Sequence, residues 1–423
     1  MAARGVRFTD AYSAHPVCSP TRAAIMTGRD PVRVNITDWI PGRPTEQAED
    51  PQLIPPEDIH NLPLEEFTLA EAFKEEGYRT FYAGKWHLGE DPEYWPEHQG
   101  FDINKGGHNR GSPPGGYYSP YENPRLTDGP EGEYLTDRLV DESIRFMEET
   151  AKQQDPFFLF LSFYTVHTPI EGCERYDEWY GERKAELPDN GKPGIEQEHR
   201  GQTRMNQSDP KYAAMVRCMD ENVGRLMEAL KKQELWKNTI IVFTSDNGGL
   251  TTLTTDRGVA PTAVIPLRSG KGWAYEGGTR IPLVIAGPNL PEGEVSGQST
   301  ISMDLYPTLL EMTGLPAIPE QHLDGRSLVP YLKVPGRTGE RTLVWHYPHY
   351  HGSAWRPGSA IRKGPWKLIE FYETRRVELY DLSEDIEEEH NLAEQYPEKA
   401  ATLRAEMHQY IEQRGGKYPE KRE

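Results

Sequence analysis

The chain has 423 residues, of which 36% are hydrophobic and 10% aromatic, so its length allows one large α/β domain and a smaller one. Its formal net charge of −20 argues against nucleic acid as a partner, because nucleic-acid binding needs a basic surface. No run of 18 or more apolar residues occurs, so no transmembrane helix is expected, and the three cysteines predict no disulfide framework.

The first predicted element is a short helix that follows Cys18. Ser19 is a good N-cap, Pro20 suits the first helical position, and Gly28 suits the end. Cys18 would then precede a helix N-terminus, where backbone N–H groups and the helix dipole favour negative charge, and Arg22 adds a fixed positive charge. Such a setting lowers the pKa of a thiol or holds an anion. From these residues alone, a half-buried structural cysteine is an open alternative.

Helical and strand patterns alternate as far as about residue 315, which predicts βαβ units and a largely parallel sheet. The predicted elements are helices over 68–78, 135–152, 210–233 and 303–314 and strands over 78–84, 156–167, 238–249 and 279–288. The strands over 156–167 and 238–249 are continuously apolar, which is typical of strands buried on both faces. Long stretches rich in proline and glycine, typical of binding loops, cover 40–63, 90–130 and 170–208.

The pattern changes after about residue 335. Short strands joined by turns follow, and a helix over 396–414 closes the chain. We therefore predict two domains, a catalytic domain over 1–335 and a small antiparallel α+β subdomain over 336–423.

Charged and polar residues lie at the ends of three predicted strands and in one glycine-rich loop. They are Lys85 and His87 after the first strand, His167 after the second, Asp246 and Asn247 after the third, and Lys271 in "SGKGWAYEGGTR". If the strands are parallel, these strand-end residues share the edge of the sheet at which open α/β folds bind ligands. Aspartate and asparagine oxygens suit calcium or magnesium, two lysines could neutralise a tetrahedral oxyanion, and two histidines could act as base and acid.

The stretch "CSPTRAAIMTGR" has the spacing C-x-P-x-R, and it resembles the signature of the type I, formylglycine-dependent sulfatases of the alkaline phosphatase superfamily. The motifs "GKWHLG", "HTP", "SDNGG" and "EGGTRIPLVIAGP" follow in that family's order and approximate spacing. The resemblance implies an alkaline-phosphatase-like α/β/α sandwich with a mostly parallel central sheet, plus a small C-terminal α+β subdomain with an antiparallel sheet. It also implies a periplasmic or secreted protein, although no signal peptide is visible at Met1.

The resemblance further implies how the nucleophile is made. Cys18 would be oxidised to formylglycine by a formylglycine-generating enzyme, and one hydroxyl of the hydrated aldehyde would attack sulfur. Arg22 would orient this nucleophile. Lys85 and His87 would support it, with His87 as the base for sulfate elimination.

The same resemblance assigns the leaving-group side and the metal. His167 and Lys271 would lie beside the departing oxygen, and one of them would protonate it. Asp246, Asn247 and the modified Cys18 would bind calcium, with magnesium as an alternative. The implied substrate is a sulfated carbohydrate or a small aryl sulfate.

The N-terminus departs from the family pattern. Members normally begin with an apolar strand that ends in two aspartates, which are further metal ligands, whereas this sequence begins "MAARGVRFTDAYSAHPVCSPTR". We therefore expect a reduced metal shell and weak calcium binding, because Asp246, Asn247 and modified Cys18 carry one formal carboxylate charge. A phosphonate or phosphate diester hydrolase of the same superfamily, and a non-catalytic protein that binds sulfated glycans, remain alternatives.

The stretch 345–364 concentrates histidines, arginines and aromatic residues. Aromatic rings stack on sugar faces, and histidine and arginine bind hydroxyls or sulfates, so we predict that His346, His349 and Arg356 contact substrate. An ordinary hairpin with surface histidines is the alternative. The pattern resembles sulfatases that act on polysaccharides or glycosaminoglycans.

Overall fold

A computed structural model describes residues 1–188 and 190–423. They form two compact units, a first one of Met1–Ile59, Gly191–Asn206 and Ile241–Glu423 and a second one of His60–Asn190 and Gln207–Ile240. The predicted boundary at residue 335 therefore does not separate these units. None of the helices in these residues is long and apolar enough to cross a membrane.

The elements follow the predicted alternation of helices and strands. The helices are α1 (Cys18–Thr27), α2 (Pro31–Val34), α3 (Leu69–Glu75), α4 (Leu135–Gln153), α5 (Glu174–Arg183), α6 (Pro210–Lys232), α7 (Glu276–Thr279), α8 (Leu305–Thr313), α9 (Val329–Lys333) and α10 (Pro397–Glu412). The strands are β1 (Gly5–Phe8), β2 (Ala11–Tyr12), β3 (Leu53–Ile54), β4 (Arg79–Gly84), β5 (Ile103–Lys105), β6 (Phe157–Ser162), β7 (Ile195–Glu198), β8 (Gly201–Arg204), β9 (Ile241–Thr244), β10 (Thr252–Thr254), β11 (Leu283–Ala286), β12 (Glu294–Ser296), β13 (Thr300–Ile301), β14 (Thr342–Tyr347), β15 (Gly358–Lys363), β16 (Trp366–Phe371), β17 (Arg376–Asp381) and β18 (Glu420–Lys421).

The stretch 170–208, predicted as a loop, contains α5, β7 and β8. Helix α5 has few apolar residues of its own, so its sequence shows little helical periodicity. Tyr176 of α5 packs against the core that contains Met215 and Cys218, and Arg175 pairs with Asp137 at 2.6 Å. These tertiary contacts, rather than local pattern, stabilise the helix.

A parallel sheet in the order β5-β4-β6 lies in the second unit. Phe81 of β4 packs with Leu139 and Phe146 of α4, so the apolar stripe of that helix covers the sheet. Gly84 at the end of β4 pairs with Ser162 at the end of β6. The chain therefore leaves both strands at the same edge, as the sequence predicted for these two strands.

The first unit contains a mixed sheet in the order β12-β1-β11-β9, in which β11 is antiparallel to both of its neighbours. The expectation of parallel pairing is wrong for the predicted strands over 238–249 and 279–288. Parallel neighbours are usually joined through a crossover helix, whereas the long connection from β9 to β11, residues 245–282, contains the short strand β10 and the four-residue α7 but no long helix.

Burial also differs from the prediction for the two most apolar strands. Most residues of β6 and all residues of β9 are half-buried. Among the described residues each of these strands pairs with one neighbour only, so each lies at the edge of its sheet rather than at the centre.

The C-terminal stretch forms the predicted antiparallel sheet, β14-β15-β16-β17, with α10 on one face. Alternate residues point to opposite faces of a strand. Leu368 packs against Met407 of α10, whereas Ile369 on the other face belongs to an aromatic core that includes Tyr12, Trp273 and Trp345. This second face explains why residues beyond 335 belong to the same unit as the N-terminal residues.

A fully buried ionic network also connects α7 to this sheet. Lys367 Nζ on β16 lies 2.8 Å from Glu276 Oε1 and 3.1 Å from Glu388 Oε1, and the Glu276 amide donates to Glu388 Oε2 at 2.7 Å. Burial raises the pKa of Glu388 to about 7, helped by the Glu276 carboxylate and opposed by Lys367. Burial alone would raise the pKa of Glu276, but Lys367 and Arg280 hold it at about 2.

This network predicts a pH-dependent contribution to stability. The pKa of Glu388 is about 7 in the folded chain and 4.5 ordinarily, so between these values the folded state binds more protons, and the unfolding free energy falls as the pH rises. Glu388→Gln removes this fall. The unfolding free energy of the variant, measured by urea unfolding and compared with that of wild type, should therefore rise by about 2 kcal/mol between pH 5 and pH 7.5.

Glu384→Gln, on an exposed side chain of the same segment, is the matched control and should leave the pH dependence unchanged. An identical pH dependence for wild type and Glu388→Gln would contradict the role given to the buried carboxyl.

Candidate active site

Cys18 is the first residue of α1 and is buried, with 2% of its surface exposed. The predicted capping differs, because the N-cap is Val17 and no side chain caps the helix. The hydroxyl of Ser19, predicted as the cap, instead accepts a hydrogen bond from the Ile40 amide at 3.1 Å. Gly28 ends the helix in the left-handed conformation at φ 67°, as predicted.

The turn before Cys18 is fixed by His15, which sequence reasoning did not single out. The His15 amide donates to Thr21 Oγ1 at 3.0 Å, and this hydroxyl donates back to the His15 carbonyl oxygen at 3.0 Å. The Val17 amide donates to His15 Nδ1 at 3.3 Å, which leaves Nε2 to donate to the His346 carbonyl oxygen at 3.2 Å. Burial lowers the pKa of His15, so the ring is neutral and serves as a fixed support.

Arg22 lies one helical turn after Cys18, on the same face of α1. Its Nη1 atom lies 3.3 Å from Asp246 Oδ2, and both side chains are largely buried. Asn247, the next residue, has a buried Oδ1 atom with no hydrogen-bond partner among the described residues. A buried amide oxygen without a donor is costly, and a cation would satisfy it.

Backbone hydrogen bonds connect the segments that carry these residues. The Gly248 amide donates to the Gly278 carbonyl oxygen at 3.0 Å, and the Lys271 amide donates to that of Gly249 at 2.8 Å. The Gly272 amide donates to the Pro16 carbonyl oxygen at 2.8 Å, close to Cys18 in the chain. The segment of Lys271 is therefore held to both the Asp246 segment and the start of α1.

Glycine is required where these backbones approach. A Cβ atom on Gly248 would lie 1.8 Å from the Gly277 carbonyl oxygen, and one on Gly272 would lie 2.1 Å from His351 Nδ1. The "DNGG" and "GKG" motifs thus have a packing reason as well as a chemical one.

The metal prediction fits these residues in part. Asp246 and Asn247 offer carboxylate and amide oxygens, which calcium and magnesium prefer. No group of three or more His, Cys, Asp or Glu side chains suited to a metal occurs in the described part of the chain. These residues therefore supply two adjacent oxygen ligands, one of which is buried with no hydrogen-bond partner among the described residues.

The second unit carries Lys85 and His87 directly after β4, and both are buried. The Lys85 amide donates to the Ser162 carbonyl oxygen at 2.9 Å, and the His87 amide donates to that of His108 at 3.1 Å. A Cβ atom on Gly111 would lie 2.4 Å from His87 Cε1, so this glycine backbone packs directly on the imidazole ring.

His108 is a second histidine of this site that sequence reasoning missed, because it lies in a long loop without periodicity. Its Nδ1 atom accepts from the Arg110 amide at 3.2 Å, and its Nε2 atom lies 3.1 Å from the Tyr164 hydroxyl. Burial lowers the pKa of His108 to about 4, so the ring next to the His87 backbone is neutral.

His167 follows β6 and is half-buried. Its amide donates to the Tyr164 carbonyl oxygen at 2.8 Å, and the Tyr117 hydroxyl contacts the His167 carbonyl oxygen at 2.9 Å. Its Nδ1 atom lies 3.0 Å from the Thr168 carbonyl oxygen, which fixes the proton on Nδ1 and the orientation of the ring.

The structure corrects the predicted substrate contacts in the C-terminal stretch. Both ring nitrogens of His346 have protein partners, Ser359 Oγ at 2.7 Å and the Lys417 carbonyl oxygen at 2.9 Å. Arg356 pairs with Glu373, and His349 bonds to Thr37 Oγ1 at 2.9 Å. All three side chains are buried and bonded within the protein, where they support the sheet and its loops.

Comparison with known proteins identifies the family. A family model described as "Sulfatase" matches residues 1–315, and one described as "N-sulphoglucosamine sulphohydrolase, C-terminal" matches residues 269–416. The chain therefore belongs to the sulfatase family, as its motifs predicted. The predicted alkaline-phosphatase-like α/β fold is confirmed as well.

Individual relatives give the extent of the likeness. The chain is 30% identical to the N-acetylgalactosamine-6-sulfatase of Canis lupus familiaris over 368 residues, which cover 82% of this chain and 62% of that protein. It is 31% identical to the arylsulfatase A of Homo sapiens, covering 87% of this chain and 68% of that one. The crystal structure of Ps i-CgsB in complex with k-i-k-neocarrahexaose superposes with a TM-score of 0.74 at 28% identity, covering 97% of this chain and 85% of that one.

The close approach at Gly248 predicts that Gly248→Ala is destabilising. The added methyl group would force the backbone away from Gly277 and break the hydrogen bond to Gly278, which should lower the unfolding free energy by about 1–3 kcal/mol. Urea unfolding measures the change. Gly297→Ala is the control, because a Cβ atom there meets nothing within 4 Å. Equal stability of the two variants would contradict the packing role of Gly248.

Proposed function

We propose that this chain hydrolyses sulfate esters and that its nucleophile is formylglycine made from Cys18. One observation carries the proposal: Cys18 begins a buried helix whose next turn holds Arg22 against Asp246, and the adjacent Asn247 has a buried oxygen with no hydrogen-bond partner among the described residues. A buried cation, a metal-type oxygen pair and the modifiable cysteine of a sulfatase motif are thus combined within one unit. Membership of the sulfatase family supports the same reaction.

The role of Arg22 follows from its position. Its guanidinium is held by Asp246 and lies on the Cys18 face of α1, so it provides a fixed positive charge for an oxyanion at the helix start. Formylglycine, when present, supplies a hydrated aldehyde that can accept the sulfuryl group and later release sulfate by reverting to the aldehyde. Calcium, held by Asp246 and Asn247, would withdraw electron density from the sulfate oxygens.

The second unit supplies the groups that handle protons. We assign His87 as the base that removes the proton for sulfate elimination, with Lys85 as a buried cation for the sulfate oxygens. His167 has its Nδ1 proton directed at the Thr168 carbonyl oxygen, so Nε2 is the atom that would transfer a proton to the departing oxygen. For Lys271 of the first unit we propose the role that the motif resemblance implies, a cation that would offset negative charge on the leaving group.

The proposed substrate class is a sulfated carbohydrate. The curated relatives include N-acetylgalactosamine-6-sulfatases, and the matching C-terminal family model is named after an N-sulphoglucosamine sulphohydrolase. The chain spans 62% of the first of these relatives. The proposed carbohydrate class therefore rests on likeness to these relatives, and sulfate release from defined sugar sulfates tests it.

Cys18 should be found converted to formylglycine when the chain is co-expressed with a formylglycine-generating enzyme. Mass spectrometry of the tryptic peptide checks the loss of sulfur, and sulfate release from 4-nitrophenyl sulfate checks the activity. The same chain expressed without the modifying enzyme is the matched control. Its turnover should be lower by more than about 100-fold, because a thiol cannot form the hydrated aldehyde.

Full sulfatase activity of a chain whose peptide is wholly cysteine would overturn this mechanism. Release of alcohol from a phosphonate monoester, with no release of sulfate from any ester, would instead identify the phosphonate hydrolase.

His167→Ala should reduce the hydrolysis of a sugar sulfate much more than that of 4-nitrophenyl sulfate. A sugar alkoxide needs a proton to leave, whereas nitrophenolate is stable without one, and general acid catalysis contributes about 100-fold or more. The measurement is kcat/KM on both substrates. His98→Ala, on an exposed ring of the same unit, is the control, and equal losses on both substrates would exclude the acid role.

A further inference from the structure

Three cations around His351 in the first unit, Arg43, Arg257 and Lys271, have no carboxylate partner among the described residues, although the chain carries a net charge of −20. Within the described residues, no carboxylate oxygen lies within 4.0 Å of the charged nitrogens of Arg43, Arg257 or Lys271. Other arginines of this unit are paired, such as Arg268 with Glu198 at 2.8 Å and Arg356 with Glu373 at 2.5 Å.

His351 connects the three cations. The positive charges of Lys271, Arg257 and Arg43 all act on its ring, and together with burial, which has the larger effect, they lower the pKa of His351. The ring is therefore neutral. We call these four residues the basic cluster.

The tautomer of His351 leaves a donor available. Its Nδ1 atom accepts from the Ser353 amide at 3.2 Å and lies 2.8 Å from Ser353 Oγ. An Nδ1 atom that accepts a backbone hydrogen bond carries no proton, so the proton is on Nε2. No partner for Nε2 occurs in the described part of the chain.

The arginines of the basic cluster are held in place by backbone contacts. Arg43 Nη1 donates to the His351 carbonyl oxygen at 3.1 Å, and its Nη2 donates to that of Gln47. Arg257 lies across Gly352, where a Cβ atom would be 1.7 Å from Nη1. Each guanidinium has five N–H donors, so donors remain on both.

The carboxylate of Asp256 attracts Arg43 and Arg257, but among the described residues it forms no salt bridge with either of them. Asp256 is an exposed neighbour of Arg257, and its carboxylate hydrogen-bonds to Thr254, which is the main reason its pKa is low. Like charges that approach without a counter-ion repel one another, and an anion between them removes that cost.

We propose that Arg43, Arg257 and His351 bind a second oxyanion of the substrate, a sulfate or a carboxylate on the sugar chain whose sulfate ester is cleaved. The inference rests on the proposed function, in which Lys271 contacts the scissile group, because it places the second anion next to that lysine. Guanidinium groups bind planar and tetrahedral oxyanions through charge-assisted hydrogen bonds, and the imidazole adds a neutral donor. The preferred substrate is therefore polyanionic, not a sugar with a single isolated sulfate.

Calorimetry with three probes tests the proposal without requiring turnover. N-acetylglucosamine 6-sulfate carries one anion, glucosamine 2-N,6-O-disulfate adds a second sulfate, and a disaccharide of a uronate and 6-sulfated N-acetylgalactosamine adds a carboxylate. At least one of the two dianionic probes should bind at least about tenfold more tightly than the monoanionic probe at low salt, and this gain should shrink at high salt. The probe that shows the gain identifies the chemistry of the second anion.

Arg43→Gln and Arg257→Gln should each remove most of that gain while changing the affinity for the monoanionic probe much less. Lys333→Gln, on an exposed lysine outside the basic cluster, is the control for net charge and should preserve the gain. Equal affinities of the wild-type chain for all three probes, no binding of any probe, or a gain that survives both arginine substitutions would overturn the proposal. Hydrolysis of 4-nitrophenyl sulfate is measured in parallel, so failure of the sulfatase assignment is seen separately.

Discussion

The close contact between two glycine-rich backbones is the constraint on which the site of the first unit depends. The Asp246 segment and the Lys271 segment lie side by side only because neither Gly248 nor Gly270 carries a side chain: a Cβ atom on Gly248 would lie 1.8 Å from the Gly277 carbonyl oxygen, and one on Gly270 would lie 2.1 Å from that of Gly249. At this contact, backbone hydrogen bonds connect the segment of Asp246 and Asn247, the potential metal ligands, to the segment of Lys271. The same lysine segment is bonded to Pro16, two residues before Cys18, so three separate parts of the sequence share one rigid backbone core.

Buried charged residues support these hydrogen-bonded segments. Glu276, in the helix that contains Gly277 and Gly278, is held by Lys367 of the C-terminal sheet and by Arg280. Breaking a buried ion pair by removing one partner is far more costly than losing a surface pair. The C-terminal sheet therefore supports the helix that contains Gly277 and Gly278, which explains why residues beyond 335 belong to the same unit as the N-terminal residues.

The sequence was informative where local chemistry dominates. Motif spacing identified the sulfatase family, and periodicity located α4, α6, α8 and α10 to within a few residues. The pairing of strands in the sheets was harder to predict from the sequence, because an apolar run such as 241–244 has the same pattern in a parallel, an antiparallel, a central or an edge strand. The roles of side chains in the C-terminal stretch could not be predicted either, because they depend on hydrogen bonds that form only in the folded structure. His346 and His351 lie five residues apart, yet one has both nitrogens bonded by the protein and the other has a donor to spare.

The edge position of β6 has a consequence for handling this chain. Phe157, Phe158, Leu159, Phe160 and Leu161 form an uncharged run with high β-propensity, and one side of its backbone is unpaired among the described residues. An apolar edge strand of this kind is a template for another strand of the same type, which is the first step of edge-to-edge aggregation. Lys152 and Asp155, just before the strand, are the nearest charges that oppose such stacking along the chain. Edge-to-edge pairing at β6 would therefore increase with protein concentration, independently of anything that happens at Cys18.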